Sequence, residues 1–240
     1  MKTTLFRANS RGYANHGWLE SYHTFSFANY HNPNRVHFGV LRVLNDDRVA
    51  PGRGFDTHRH DNMEIISIPL SGDLEHKDSM GNTTVIQNGD IQVMSAGTGV
   101  SHSEYNRSKE EEVKFLQIWI FPRERQLTPR YDQISINSLH QKNKFFQIVS
   151  PHPKDDGIWI HQDVWFYKGD FENGISQEYQ VHQKGQGIFI FVLEGELLVG
   201  NNTLQTRDAV GIEDATSVQI TAAKPSDFMI IEVPMALPSV

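Results

Sequence analysis

Apolar positions along the chain fall in short runs separated by Gly, Asn, Asp and Pro. The runs cover residues 36–44, 63–70, 83–86, 91–94, 113–121, 145–149, 159–167, 188–193, 197–199, 217–221 and 228–233. They are rich in Val, Ile and Phe, side chains that suit a pleated, half-buried surface. Turn residues at such regular spacing predict an antiparallel sandwich or barrel. No segment keeps a helical apolar period over three turns, so helices should be few and short.

Two stretches repeat one pattern of strand, tight glycine turn, strand, hairpin and strand. The first turns at Gly72, reaches Gly81-Asn82 and ends at Gly89-Asp90. The second turns at Gly195, reaches Gly200-Asn201-Asn202 and ends at Arg207-Asp208. The matching order predicts a degenerate duplication of one β-barrel unit. The segment 121–143 is polar and carries Pro129. A boundary is therefore expected there, giving one barrel over residues 1–132 and another over 133–240.

Composition narrows the chemistry. The 240 residues include no cysteine, which excludes disulfides, thiolate metal sites and cysteine nucleophiles and fits a cytoplasmic setting. A formal charge of -7 without a basic cluster argues against direct nucleic-acid binding. The first residues lack an apolar core of signal-peptide length, and no apolar run is long enough to span a membrane. The 12 histidines are the outlier, and they direct attention to metal or acid–base chemistry.

His58 and His60 are two residues apart, and His102 and Glu104 repeat that spacing. On a strand it places both side chains on one face. If two such strands faced each other across a barrel interior, three imidazoles and a carboxylate would converge. That set suits one divalent transition metal, with Fe(II) favoured and Ni, Cu, Mn or Zn admissible. Glu64 shares the parity of His60 on a regular strand and stays open as a group behind the ligands. Trp18, Tyr22, Phe25, Phe27, Phe38 and Phe55 precede the first pair and would suit a flat ring. His23, Phe25, Phe38, Phe55 and Met94 are the candidate pocket residues. His182 falls where the second half should carry its own histidine pair, but no second ligand accompanies it. The C-terminal barrel is therefore expected to lack a metal, with His182 partnered or exposed. The other histidines, His76 among them, are expected to be structural or superficial.

The spacing Gly52-x5-His58-x-His60-x3-Glu64-x7-Gly72 resembles the first cupin motif. Gly89-x5-Ser95-x-Gly97-x4-His102-x3-Asn106 resembles the second, with Ser in place of a common Pro and a longer gap before His102. Asn15–Trp18, His23–Phe27, Asp78–Asn82 and Ser95–Gly99 with His102-Ser103-Glu104 resemble the pirin family, and within it bacterial pirin-like quercetin 2,3-dioxygenases. The similarity is strong to about residue 132 and looser beyond. It implies an all-β bicupin of two double-stranded β-helix (jelly-roll) barrels. It also implies a metal held by His58, His60, His102 and Glu104, rather than by Glu64.

The activity so implied is metal-dependent cleavage of a flavonol heterocycle with O2, releasing carbon monoxide and a depside, with Glu104 as both ligand and base. The alternative is a metal- or redox-dependent regulatory protein that binds a transcription factor or a metabolic enzyme. An isomerase or oxidase acting on another enolisable molecule would keep the same ligands.

Overall fold

The computed structural model describes residues 1–238. Among these the ordered elements are β-strands and two single-turn 3-10 helices, Ala8–Ser10 and Asn137–Leu139. Among the described residues no helix is long and apolar enough to cross a membrane. Each half of the molecule pairs a seven-stranded sheet with a four-stranded one.

In the first barrel the large sheet runs, in spatial order, Arg130–Ser135, Asp90–Ser95, Glu64–Ser71, Val113–Ile120, Leu41–Val49, Leu19–His23 and Gly12–Asn15. Facing it are Gly54–His60, Val100–Asn106, Leu74–Asp78 and Thr83–Ile86. The second barrel repeats the plan, and its small sheet contains Ser176–Gln180, Ser217–Ala222, Glu196–Val199 and Asn202–Gln205. The turns at Gly72 and Gly195 carry the same left-handed backbone, with φ of 72° and 95°. A Cβ at Gly195 would lie 2.2 Å from the Pro225 carbonyl oxygen, so the tight turn needs glycine.

The boundary expected at residue 132 runs through Arg130–Ser135, a strand paired in full register with Asp90–Ser95 of the first barrel. The extreme N-terminus crosses the other way. Lys2–Phe6 pairs with Ala209–Glu213 and forms the edge of the second barrel's large sheet. The run predicted over 36–44 begins its strand only at Leu41, because the chain turns at Gly39 with φ 52°. The run over 159–167 is interrupted between Ile158–Trp159 and Trp165–Phe171.

The two large sheets share one core. Leu44, Ile66, Ile68, Leu116 and Ile118 from the first pack with Phe189, Phe191, Met229 and Ile231 from the second. Period-two alternation then decides what faces inward. In Val113–Ile120, residues 116, 118 and 120 enter the shared core, which leaves Phe115, Gln117 and Trp119 for the barrel interior. The second barrel's interior is one continuous apolar cluster that includes Ile190, Leu197, Val210, Ile220 and Phe228. The first barrel's interior is divided into two smaller clusters, around Phe115 and around Met94. Between them lies a row of polar residues in cross-strand register, His23–Asn45–Gln117–Ser67–Gln92, all buried.

Candidate metal centre

His58 and His60 stand on one face of Gly54–His60, and His102 pairs directly with His58 on the adjacent strand. The nitrogens of these three rings converge within 4.8 Å of one another. The His58 and His102 Nε2 atoms face each other at 3.1 Å. His58 Nδ1–H donates to the Asp56 carbonyl at 2.7 Å, which leaves its Nε2 lone pair directed into the cluster. Burial, reinforced by the neighbouring imidazoles, lowers His60 to about 4 and His102 to about 3. Both rings are therefore neutral near pH 7 and present lone pairs rather than protons. Three imidazoles aimed at one point are a donor set that fits a first-row divalent metal.

A register shift between His102 and Glu104 separates that pair from the regular ladder. The Glu104 carboxylate lies with His102 and His76, again within 4.8 Å. Its two oxygens are held from the opposite sheet. Ser67 Oγ donates to Oε1 at 2.9 Å and Gln117 Nε2 donates to Oε2 at 2.8 Å. His76 is fully buried, its ring centroid 5.3 Å from that of His102, and its Nε2–H donates to Asp78 at 3.2 Å. It is not superficial but stands directly behind the cluster. The His76-x-Asp78 spacing was the available sign, since it repeats the i, i+2 pattern of the other two pairs.

The cluster opens into a cavity of about 430 Å³. Trp18 and Phe55 meet edge to face at 5.4 Å on its wall, as do Phe27 and Trp119 at the same distance. His23 lines the cavity too. Among the other expected pocket residues, Phe25 and Phe38 do not reach it. The segment after His23 leaves the large sheet and packs against the second barrel. There Phe25 packs on Phe6 and Phe189, and Phe38 packs on Phe189. Met94 does face the barrel interior, but Ile65 and Val100 enclose it away from the cavity.

Glu64 is not behind the ligands either. The chain turns at Asn62, φ 48°, so His60 and Glu64 sit on different sheets and do not share a face. Glu64 accepts from Ser95 Oγ at 2.7 Å and from the His161 backbone, and its pKa is raised by burial. It ties the two barrels together. Opposite the histidines, the fully buried Asp47 carboxyl accepts from Ser21 Oγ, and burial pushes it up to about 7. Asp47, Asn45, Ser67 and Gln117 carry no motif spacing, so sequence reasoning did not find them.

In the second barrel His182 is engaged by its own neighbours. His182 stacks on Trp165 at 4.3 Å and pairs through Nδ1 with Glu232 at 2.8 Å. Tyr179 Oη donates to the same Glu232 oxygen at 2.7 Å.

Two barrels of this plan, with one cluster of histidines and a carboxylate inside the first, define a bicupin. Residues 6–120 match the Pirin family model, and 147–233 match the quercetinase C-terminal cupin domain. The chain is 41% identical over 96% of its length to a quercetin 2,3-dioxygenase of Escherichia coli strain K12, covering 98% of that protein. It is 35% identical over 92% of its length to a pirin-like protein of Caulobacter vibrioides, covering 95% of it. The crystal structure of bacterial pirin YhhW from Escherichia coli in complex with nickel(II) superposes with a TM-score of 0.92. The identity is 39%, with 99% of this chain and 100% of that one covered. The chain belongs to the pirin family.

Proposed function

We propose that the protein is a metal-dependent dioxygenase that opens the heterocycle of a flavonol such as quercetin, consuming O2 and releasing carbon monoxide and a depside. The observation that carries this reading is the convergence of three imidazoles beside Glu104, at the mouth of a cavity with two aromatic pairs on its wall. The name of the Escherichia coli relative supports it.

His58, His60 and His102, with Glu104, would hold one divalent metal. Fe(II) suits these donors, and the nickel(II) complex of the YhhW neighbour supports nickel equally. When bound, the metal supplies Lewis acidity toward the flavonol 3-hydroxyl and a redox partner for O2. The remaining work belongs to the chain. The aromatic walls take the flat ring and exclude water. Glu104 accepts the 3-hydroxyl proton. Ser67 and Gln117 aim its carboxylate by donating one hydrogen bond to each oxygen. The Asp56 carbonyl keeps His58 in the tautomer that faces the site.

Metal analysis combined with an oxygen electrode tests the reading. Metal near one per chain, with quercetin-dependent O2 uptake and carbon monoxide release, is expected. His58→Ala should lose the metal. Glu104→Gln should lower turnover by about 100-fold while keeping more of its metal than its activity. Uptake by metal-stripped protein, or full metal content in His58→Ala, would overturn it.

A further inference from the structure

We propose that Ser21, His23, Asn45 and Asp47, together with Trp119, form a second subsite in the first barrel that reads hydroxyl groups on the ligand. The ligand class this selects is a flat ring compound with hydroxyls beyond the one that meets the histidines. The inference rests on the dioxygenase reading for its choice of substrates, but not for the existence of the subsite.

The four residues come from two neighbouring strands, with Ser21 opposite Asp47 and His23 opposite Asn45. They belong to the large sheet, whereas His58, His60 and His102 belong to the small one. A ligand held at the histidines therefore meets them on the opposite wall of the same cavity. All four are at most 5% exposed.

Three polar atoms of cavity-lining residues have no partner: His23 Nδ1, Asn45 Oδ1 and Trp119 Nε1. An unpaired buried polar group costs on the order of 1–3 kcal/mol. His23, Asn45 and Trp119 line one cavity, so a small rotation of each side chain would give all three groups a partner on a ligand there. The chemistry is mixed. Asn45 Oδ1 accepts, Trp119 Nε1 donates, and His23 Nδ1 and the Asp47 carboxyl can serve either way according to protonation. A hydroxyl both donates and accepts, and so matches this set. A phosphate or carboxylate does not, because no Lys or Arg lines the cavity and Asp47 would oppose the anion. The neighbouring Asp46 leaves the cavity altogether and pairs with Arg11 and Arg207 at 3.1 Å each.

The test compares quercetin, which has hydroxyls on both outer rings, with 3-hydroxyflavone, which keeps only the chelating hydroxyl. Nickel-loaded wild type, Asn45→Leu and Asp47→Asn would be measured, all close to isosteric changes, with metal content as the check on folding. The readouts are kcat/KM for each flavonol in air, and Kd from tryptophan quenching under nitrogen. Asn45→Leu should weaken quercetin about 10-fold in both and leave 3-hydroxyflavone within about two-fold. Asp47→Asn should shift the same ratio in the same direction. Equal losses for the two flavonols, or none, would overturn the subsite while leaving the dioxygenase reading intact. Binding that follows the predicted ratio without any turnover would uphold the subsite and remove the dioxygenase reading.

Discussion

The Asp47 carboxyl is fully buried, with Ser21 as its hydrogen-bond donor, and burial holds it at about 7 against an ordinary value of 3.8. Between those values the unfolded chain has lost a proton that the folded chain keeps. Stability therefore falls as pH rises from about 4 to 7 and stays lowered above that. Asp47→Asn is expected to stabilise metal-free protein at pH 8 by on the order of 2 kcal/mol, with the gain shrinking away below pH 4. Denaturant melts at both pH values check this, and a gain of equal size at the two would refute it. His76 makes a second residue-level prediction. It is fully buried beside His102 and held by Asp78, so His76→Gln should weaken metal binding about tenfold by calorimetric titration. Unchanged affinity would reduce His76 to a packing residue. The contrast between His58 and His76 shows what sequence can convey about a site. Two histidines on one strand announce themselves by spacing, whereas the weaker His76-x-Asp78 sign gains its meaning from cross-strand pairing of His76 with Glu104.

At the scale of elements, parity is informative within a strand and fails across a turn. Glu64 and His60 have matching parity, yet the left-handed backbone at Asn62 sends the following strand into the other sheet. Within Glu64–Ser71 the alternation then holds. Ile66 and Ile68 enter the shared core, and Ser67 reaches Glu104. The strand Ser226–Pro234 offers a corresponding test in the second barrel. Glu232 is completely buried and is satisfied by Tyr179 and by both the ring and the backbone N–H of His182. His182→Ala removes one of these donors and should cost about 2 kcal/mol of stability, discounted because His182 is partly exposed. Metal content and turnover should be unchanged, and a lost metal would contradict the separation of the two barrels' roles. The strands that carry the histidines were hard to read as strands because their inward face is polar. Gly54–His60 has no buried residue at all.

The whole molecule depends on the contact between barrels. Phe189 of the second barrel sits against Phe6, Phe25 and Phe38, with ring centroids 5.2, 5.6 and 5.5 Å away. Phe189→Ala should cost ~3–5 kcal/mol and lower the thermal midpoint of both barrels, because the cavity opens in their common core. Calorimetry would show this, and a midpoint unchanged for the first barrel would mean that the barrels unfold independently. Phe25 and Phe38 looked like pocket residues because they precede the metal motif in the chain. Their true neighbours lie in the other half, brought there by a segment that leaves its own sheet.

The all-β class, the repeated turn at Gly72 and Gly195, and the spacing of His58 with His60 and of His102 with Glu104 are written in the order of residues alone. These are local properties, set by a two-residue strand period and by a backbone that glycine alone adopts easily. Which wall each strand joins emerges from the folded molecule. It placed His76 behind His102, turned Ser67 and Gln117 onto Glu104, and set Asn45 and Asp47 across the cavity from the histidines. Those relations arise from pairing between strands distant in the chain, and no local pattern of hydrophobic and polar residues encodes which distant strand will be the partner.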